Sequence, residues 1–169
     1  MPTITIDGKQ MEFENGQTIL EVAYNNGKDI PHYCYHPSLS VVASCRICLA
    51  EVWAPNPRND NKLEPMPKLL PTCQTTAGDG QVVYTSSPKA TANQKAVMEM
   101  LLNHHPIDCP TCDQAGECTL QDYAYEYGRG ERRCDTEKIT QSKKDIGDNV
   151  MLYGDRCIMC TRCVRFTQE

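Results

Sequence analysis

Bulky aromatic residues are few in this sequence: 169 residues hold two Phe and one Trp. That is too little for one large core. The length suits one domain or two small ones, and small domains with thin cores need staples. No apolar run reaches the roughly 18 residues of a spanning helix, which excludes an integral membrane protein. The opening Met1-Pro2-Thr3-Ile4 has neither the basic and apolar stretches of a secretory signal nor the Arg-rich pattern of a transit peptide. A dinucleotide fingerprint is missing too, since Gly128-Arg129-Gly130 follows no clear strand and lacks a third Gly. No side chain stands out as a catalytic base or nucleophile. The net charge of −5 argues against generic nucleic-acid binding.

Cysteine, with 11 residues, is plentiful by comparison. The share stays below the roughly 8–10% of short disulfide scaffolds. A reducing compartment is expected, and there cysteines serve as metal ligands rather than disulfides. Charge is unevenly spread. Residues 1–127 carry 8 Lys/Arg against 15 Asp/Glu, whereas residues 128–169 carry 9 against 7. The basic end, with Arg132, Arg133, Lys143 and Lys144, is either a solvated loop or a contact surface for an acidic partner.

Local patterns predict the elements. Thr3–Ile6 and Gln10–Phe13 alternate polar and apolar residues around Asp7-Gly8, the signal of a β-hairpin. Thr18 and Glu21 form a capping box for a helix over 18–26, with Gly27 as its stop. Leu49–Trp53 and Gln81–Thr85 read as strands. Between them, five prolines in residues 55–71 predict an irregular surface insertion. Ser87-Pro88 opens a second helix, with Val97, Met100 and Leu101 at helical spacing and Pro106 as the breaker. A short helix over Thr119–Tyr127 precedes Gly128, with Leu120, Tyr123, Ala124 and Tyr127 on its packing side.

Ten cysteines fall into three groups. Cys34-x10-Cys45-x2-Cys48-x24-Cys73 lies between predicted strands. Four thiolates from one loop and a returning segment can hold a 2Fe–2S cluster, as plant-type ferredoxins do with a shorter first spacing. The same four can hold structural zinc. Small residues Ala43 and Ser44 let backbone amides approach the sulfurs. The second group, His105-x3-Cys109-x2-Cys112-x5-Cys118, suits zinc and an iron–sulfur cluster about equally. The adjacent His104 is expected to cap the helix or stay exposed. The third group is Cys157-x2-Cys160-x2-Cys163, a strong signal for a cubane 4Fe–4S cluster because each thiolate meets a different iron. The bacterial pattern would place a fourth Cys where Thr167 stands, followed by Pro where Gln168 stands. The fourth ligand is therefore expected from outside this stretch. Cys134, the spare thiol, is expected to be an ordinary free cysteine.

Taken in order, these three groups resemble the N-terminal part of the large, G-type iron–sulfur subunit of respiratory NADH:quinone oxidoreductase, complex I. The strings Ile30-Pro31-His32-Tyr33-Cys34, Ser44-Cys45-Arg46-Ile47-Cys48, His105-Pro106-Ile107-Asp108-Cys109-Pro110 and Arg156-Cys157-Ile158-Met159-Cys160-Thr161-Arg162-Cys163-Val164-Arg165 carry the likeness, which covers essentially the whole chain. The resemblance implies an α+β fold in three segments. Residues 1–87 would form a β-grasp 2Fe–2S domain with ligands Cys34, Cys45, Cys48 and Cys73. Residues 88–127 would form a helical 4Fe–4S segment with His105, Cys109, Cys112 and Cys118. Residues 128–169 would start a 4Fe–4S ferredoxin-like segment with Cys157, Cys160 and Cys163, its fourth ligand absent here. The family's molybdopterin-enzyme-like C-terminal region is absent, so the chain is expected to be a fragment of a longer subunit.

The implied function is an electron relay without its own substrate site and without catalytic residues. It would take electrons from a flavin- and NADH-binding subunit and pass them toward quinone-reducing subunits. The chain would be peripheral, on the cytoplasmic face of a bacterial inner membrane, with no span of its own. A similar N-terminal arrangement occurs in iron-only hydrogenases and in the diaphorase of NAD-reducing hydrogenases. A zinc-binding interaction module is the alternative of another class.

Overall fold

The computed structural model describes residues 1–169, which form two compact units: Met1–Gln94 with Thr161–Glu169, and Lys95–Cys160. In the first unit, β1 (Thr3–Ile6) and β2 (Lys9–Glu12) pair antiparallel. Asp7 at φ 46° and Gly8 at φ 82° supply the two left-handed residues of the tight turn. Helix α1 (Ile19–Asn25) starts with the expected capping box: Glu21 N–H donates to Thr18 Oγ1 at 3.3 Å and Thr18 N–H to Glu21 Oε2 at 2.7 Å. It ends at Gly27, φ 72°, where Gly27 N–H donates to Tyr24 O and Lys28 N–H to Ala23 O, closing the orphan carbonyls of the last turn.

Strands β3 (Leu49–Asn56), β4 (Lys62–Pro65), β5 (Leu70–Pro71) and β6 (Val82–Tyr84) complete a sheet of order β2-β1-β6-β3-β4, with β5 on β3. Only β1 and β6 run parallel; the other pairs are antiparallel. Ile19, Leu20, Val22 and Ala23 of α1 share one apolar cluster with Ile4, Ile6, Val52 and Val83 of the sheet. Burying each such aliphatic side chain is worth roughly 1.5–3 kcal/mol, so this face holds the helix across the strands. The fold is α+β, with the β-grasp arrangement.

Residues 55–71 depart from the expected irregular insertion. β3 runs on through Pro55, and β4 returns along it from Asn56–Lys62 to Trp53–Pro65. Asp60 and Asn61, both at positive φ, turn the chain, and Asn56 and Asn59 donate to Glu64. Pro65 is tolerated because it ends β4, an edge strand, and Pro55 because it lies in the part of β3 beyond its pairing with β6.

Helix α2 (Pro88–His104) begins with Ser87 as expected, Ala90 N–H donating to Ser87 Oγ at 3.3 Å. Its buried stripe is Ala90, Gln94 and Met98, whereas Met100 is exposed. Gln94 is tolerated inside because its amide donates to Thr85 O at 3.1 Å.

In Lys95–Cys160, α3 covers Thr119–Tyr127 as the sequence predicts, burying Leu120 and Tyr123, with the Tyr123 and Tyr127 rings edge to face at 5.3 Å. A Cβ at Gly128 would meet Ala124 O at 2.3 Å, so only glycine closes this helix. β7 (Lys144–Asp145) and β8 (Met151–Leu152) form a small hairpin. Met98, Leu120 and Tyr123 are the only buried side chains of this unit, far too few for a self-sufficient core.

Some cations of the basic end are held by internal ion pairs, while Arg132, Arg133, Lys143 and Lys144 remain exposed. Arg133 grips Glu99 with two bonds, Arg129 pairs with the same carboxylate, and Arg156 pairs with Asp108 at 2.8 Å. Helix α4 (Arg162–Gln168) closes the chain. No helix is long and apolar enough to cross a membrane.

Candidate metal centres

The first motif converges in the first unit. Cys34, Cys48 and Cys73 are buried and Cys45 is partly so. Two left-handed residues, Ala43 at φ 47° and Arg46 at φ 60°, fold the loop, and Asn93 donates to Arg46 O to hold it. The returning segment is tied in by Thr72, whose N–H and hydroxyl both donate to Cys48 O, while its own carbonyl accepts from Leu20 N–H at the start of α1. The capped helix thus positions Cys73 through its neighbour.

The four thiols stand in a row, Cys45 beside Cys34, Cys34 beside Cys73, and Cys73 beside Cys48, with the last pair 3.6 Å apart. Bonds from the Cys45 and Cys73 thiols push Cys34 far down, and the amides of Cys45 and Ser44 point at it as well. Cys48 is lowered to about 7, chiefly by the Cys73 thiol. Cys45 and Cys73 are pushed up by the same contacts with Cys34. Deprotonated, this donor set is soft and shielded from water, and it suits iron or zinc by its chemistry. No three His, Cys, Asp or Glu side chains gather around one point as a single ion would require. Each thiol touches the next along the row, Cys34 and Cys73 each meeting two of the others. Beside it, Tyr35 donates to Glu21 Oε1 at 2.9 Å; burial first, then that carboxylate, pushes the phenol up to about 12.

The second motif lies in Lys95–Cys160. His105 N–H still donates to Leu101 O as α2 runs out, and Pro106 prevents continuation. His105 turns inward with Nδ1 enclosed and without a partner, whereas His104 is exposed. Burial, with the Lys138 charge second, lowers the imidazole, keeping it neutral as a ligand must be. His105, Cys109 and Cys118 line one cavity of about 470 Å³ with apolar Leu102, Leu120 and Ala124. Cys112 is partly buried; its N–H closes the turn to Cys109 O, and it does not line that cavity. Lys138 donates to Leu102 O at 2.7 Å and to His105 O, capping the helix end that carries the histidine. Sequence reasoning missed this lysine, which as a charged loop residue gave no signal.

In the third motif, Cys157 follows a 3₁₀ turn over Gly154–Arg156, and Met159 N–H donates to its sulfur at 3.3 Å. Met159 at φ 53° and Thr161 at φ 61° twist the loop so that an amide can aim at sulfur. Cys160 is partly buried, and Cys163 lies exposed in the first turn of α4. Cys134 lies 2.8 Å from Thr136 Oγ1 and also meets the Thr136 backbone and Arg132.

Comparisons with known proteins follow the same order of motifs. Residues 1–88 match the 2Fe-2S iron-sulfur cluster binding domain, and residues 94–133 match the NADH-ubiquinone oxidoreductase-G iron-sulfur binding region. The G subunit of NADH-quinone oxidoreductase from Rickettsia bellii is 40% identical over 169 residues, all of this chain and 23% of the relative. The mitochondrial 78 kDa subunit of NADH-ubiquinone oxidoreductase from Candida albicans is 40% identical over 168 residues, 98% of this chain and 22% of the relative. The chain therefore spans about a quarter of the length of the curated relatives it matches. Among solved structures, a chain of an NAD+-reducing [NiFe]-hydrogenase in the H2-reduced state aligns with a TM-score of 0.81 at 30% identity, over 99% of this chain and 66% of that one.

Proposed function

Because the chain belongs to the family of 2Fe-2S iron-sulfur cluster binding domains, we propose that it is the N-terminal electron-relay part of an iron–sulfur subunit of NADH:quinone oxidoreductase. The observation that carries this reading is the largely buried row of four thiols, Cys45, Cys34, Cys73 and Cys48, each in contact with the next. When bound, iron–sulfur clusters supply one-electron chemistry with no need for a base or nucleophile, and the protein's part is to hold them, exclude water and tune their charge.

Cys34, Cys45, Cys48 and Cys73 are proposed to hold one 2Fe–2S cluster in the segment 1–87. His105, Cys109, Cys112 and Cys118 would hold a 4Fe–4S cluster in 88–127, which agrees with the enclosed, unpartnered Nδ1 of His105. Cys157, Cys160 and Cys163 would supply three ligands of a second 4Fe–4S cluster in 128–169, the fourth coming from elsewhere. The proposed partners are a flavin- and NADH-binding subunit as donor and further iron–sulfur subunits toward the quinone, in a peripheral arm on the cytoplasmic face of a bacterial inner membrane.

A second reading is favoured by the hydrogenase likeness: the same module within the diaphorase of an NAD-reducing hydrogenase. Purification from the native cell separates the two. Co-purification with quinone-linked NADH oxidation supports the first, and co-purification with hydrogen-linked NAD reduction supports the second.

A further inference from the structure

Arg165 is the only buried charged residue of the chain, 6% exposed. Its guanidinium donates to three neutral oxygens: the carbonyls of Cys34 and Ser40, and Thr161 Oγ1 at 3.3 Å. None of the four ion pairs involves it. The Glu169 carboxylate feels its charge but is taken up by the N–H and hydroxyl of Ser40. A guanidinium is permanently charged, and burying one without a counter-charge is strongly unfavourable. Beyond the Glu169 carboxylate, the nearest source of negative charge is the residue it grips, for Cys34 touches two of the other three thiols of the row.

We propose that Arg165 is the built-in counter-ion of the 2Fe–2S site, a positioning residue that fixes the Cys34 loop through its carbonyl and favours the reduced cluster by its charge. The proposal rests on the reading of Cys34, Cys45, Cys48 and Cys73 as the cluster ligands. Reduction adds one electron from a one-electron donor and makes the site more negative by one charge. No bond forms or breaks, and Arg165 keeps its proton. A fixed cation beside the site lowers the energy of the reduced form more than that of the oxidised form. Arg165 also lies two residues after Cys163 on α4, so one side chain ties the helix bearing a third-motif thiol to the loop bearing a first-motif thiol.

The test is a potentiometric titration of the 2Fe–2S electron paramagnetic resonance signal in the full-length, cluster-loaded protein, for wild type, Arg165→Gln and Arg165→Lys. Arg165→Gln should keep the signal and lower the equilibrium constant for reduction on the order of tenfold, about 59 mV for a one-electron couple. Arg165→Lys, which keeps the charge, should recover most of that shift. A wild-type potential in Arg165→Gln, or a Lys variant that falls as far as the Gln variant, overturns the proposal. Should Arg165→Gln lose the cluster, Arg165→Lys decides: a retained signal near the wild-type potential supports it, and a lost signal or full shift overturns it. A wild-type protein without any 2Fe–2S signal overturns the ligand assignment itself, and the proposal with it.

Discussion

The Cys48 and Cys73 thiols stand 3.6 Å apart although their residues lie 25 positions apart in the chain. Two thiolates on one tetrahedral metal, with bonds of about 2.3 Å, sit about 3.8 Å apart, so the pair stands at the spacing that the proposed cluster would need. The fold provides the closeness through Thr72, which binds Cys48 O on one side and α1 on the other.

Cys73→Ser should therefore abolish the 2Fe–2S paramagnetic signal of the reduced protein and leave signals of other clusters in place. Spectra at temperatures that separate the cluster types check this. An unaltered 2Fe–2S signal would remove Cys73 from the ligand set.

The two adjacent histidines should behave differently. His105→Ala is expected to weaken retention of the cluster proposed for Cys109, Cys112 and Cys118, and His104→Ala to leave it intact, because His105 lines the cavity it shares with Cys109 and Cys118 and has its Nδ1 buried, whereas His104 is exposed. His105→Cys should keep a cluster at a lower potential, since a thiolate adds the negative charge that an imidazole lacks. Iron content and redox titration of the three variants decide the matter. Loss in His104→Ala beside retention in His105→Ala would reverse the roles.

The parts of this fold that were legible in the sequence are those written in neighbouring residues. Asp7-Gly8 demands a tight turn, Thr18 and Glu21 satisfy each other's backbone, and Gly128 closes α3. The β4 edge strand was hidden because its partner is supplied by the extension of β3, and Pro55 and Pro65 mask a pairing that suits an edge. The buried face of α2 was hidden because Gln94 is polar and is satisfied by Thr85, a residue outside the helix. Arg165 and Lys138 were invisible for a related reason: a charged side chain reads as solvated until the carbonyls it meets are in place. Cysteine spacing, by contrast, is local and chemically restrictive, and the four thiols of the first motif lie in contact one to the next.

Removing iron should affect the two units unequally. Met1–Gln94 has an apolar cluster between α1 and the sheet, whereas Lys95–Cys160 buries little beyond Met98, Leu120 and Tyr123. Binding energy of its ligands then counts as folding energy. Anaerobic chelation should expose the amides of 105–120 to hydrogen exchange while those of β1 and β6 stay protected. Equal loss in both, or none in 105–120, would contradict this.

Acid should release a defined contribution from Asp7. Burial raises its carboxyl, but the bonds from Lys28 and from the Thr85 hydroxyl and N–H outweigh burial and hold it below 3.8. A carboxylate depressed in the folded state contributes stability that is present above its unfolded value, near 3.9, and lost as the pH falls through the folded one. Asp7→Asn should cost about 1–3 kcal/mol at pH 7, and the gap to wild type should close below about pH 4. Urea midpoints of both proteins across that range measure it.

The central claim, that these cysteines hold iron–sulfur clusters for electron relay, is tested most directly by electron paramagnetic resonance of the anaerobically purified protein before and after reduction. A brown protein whose reduced form shows a 2Fe–2S signal together with 4Fe–4S signals is the predicted result. A colourless protein, silent in both states and carrying zinc, would contradict it.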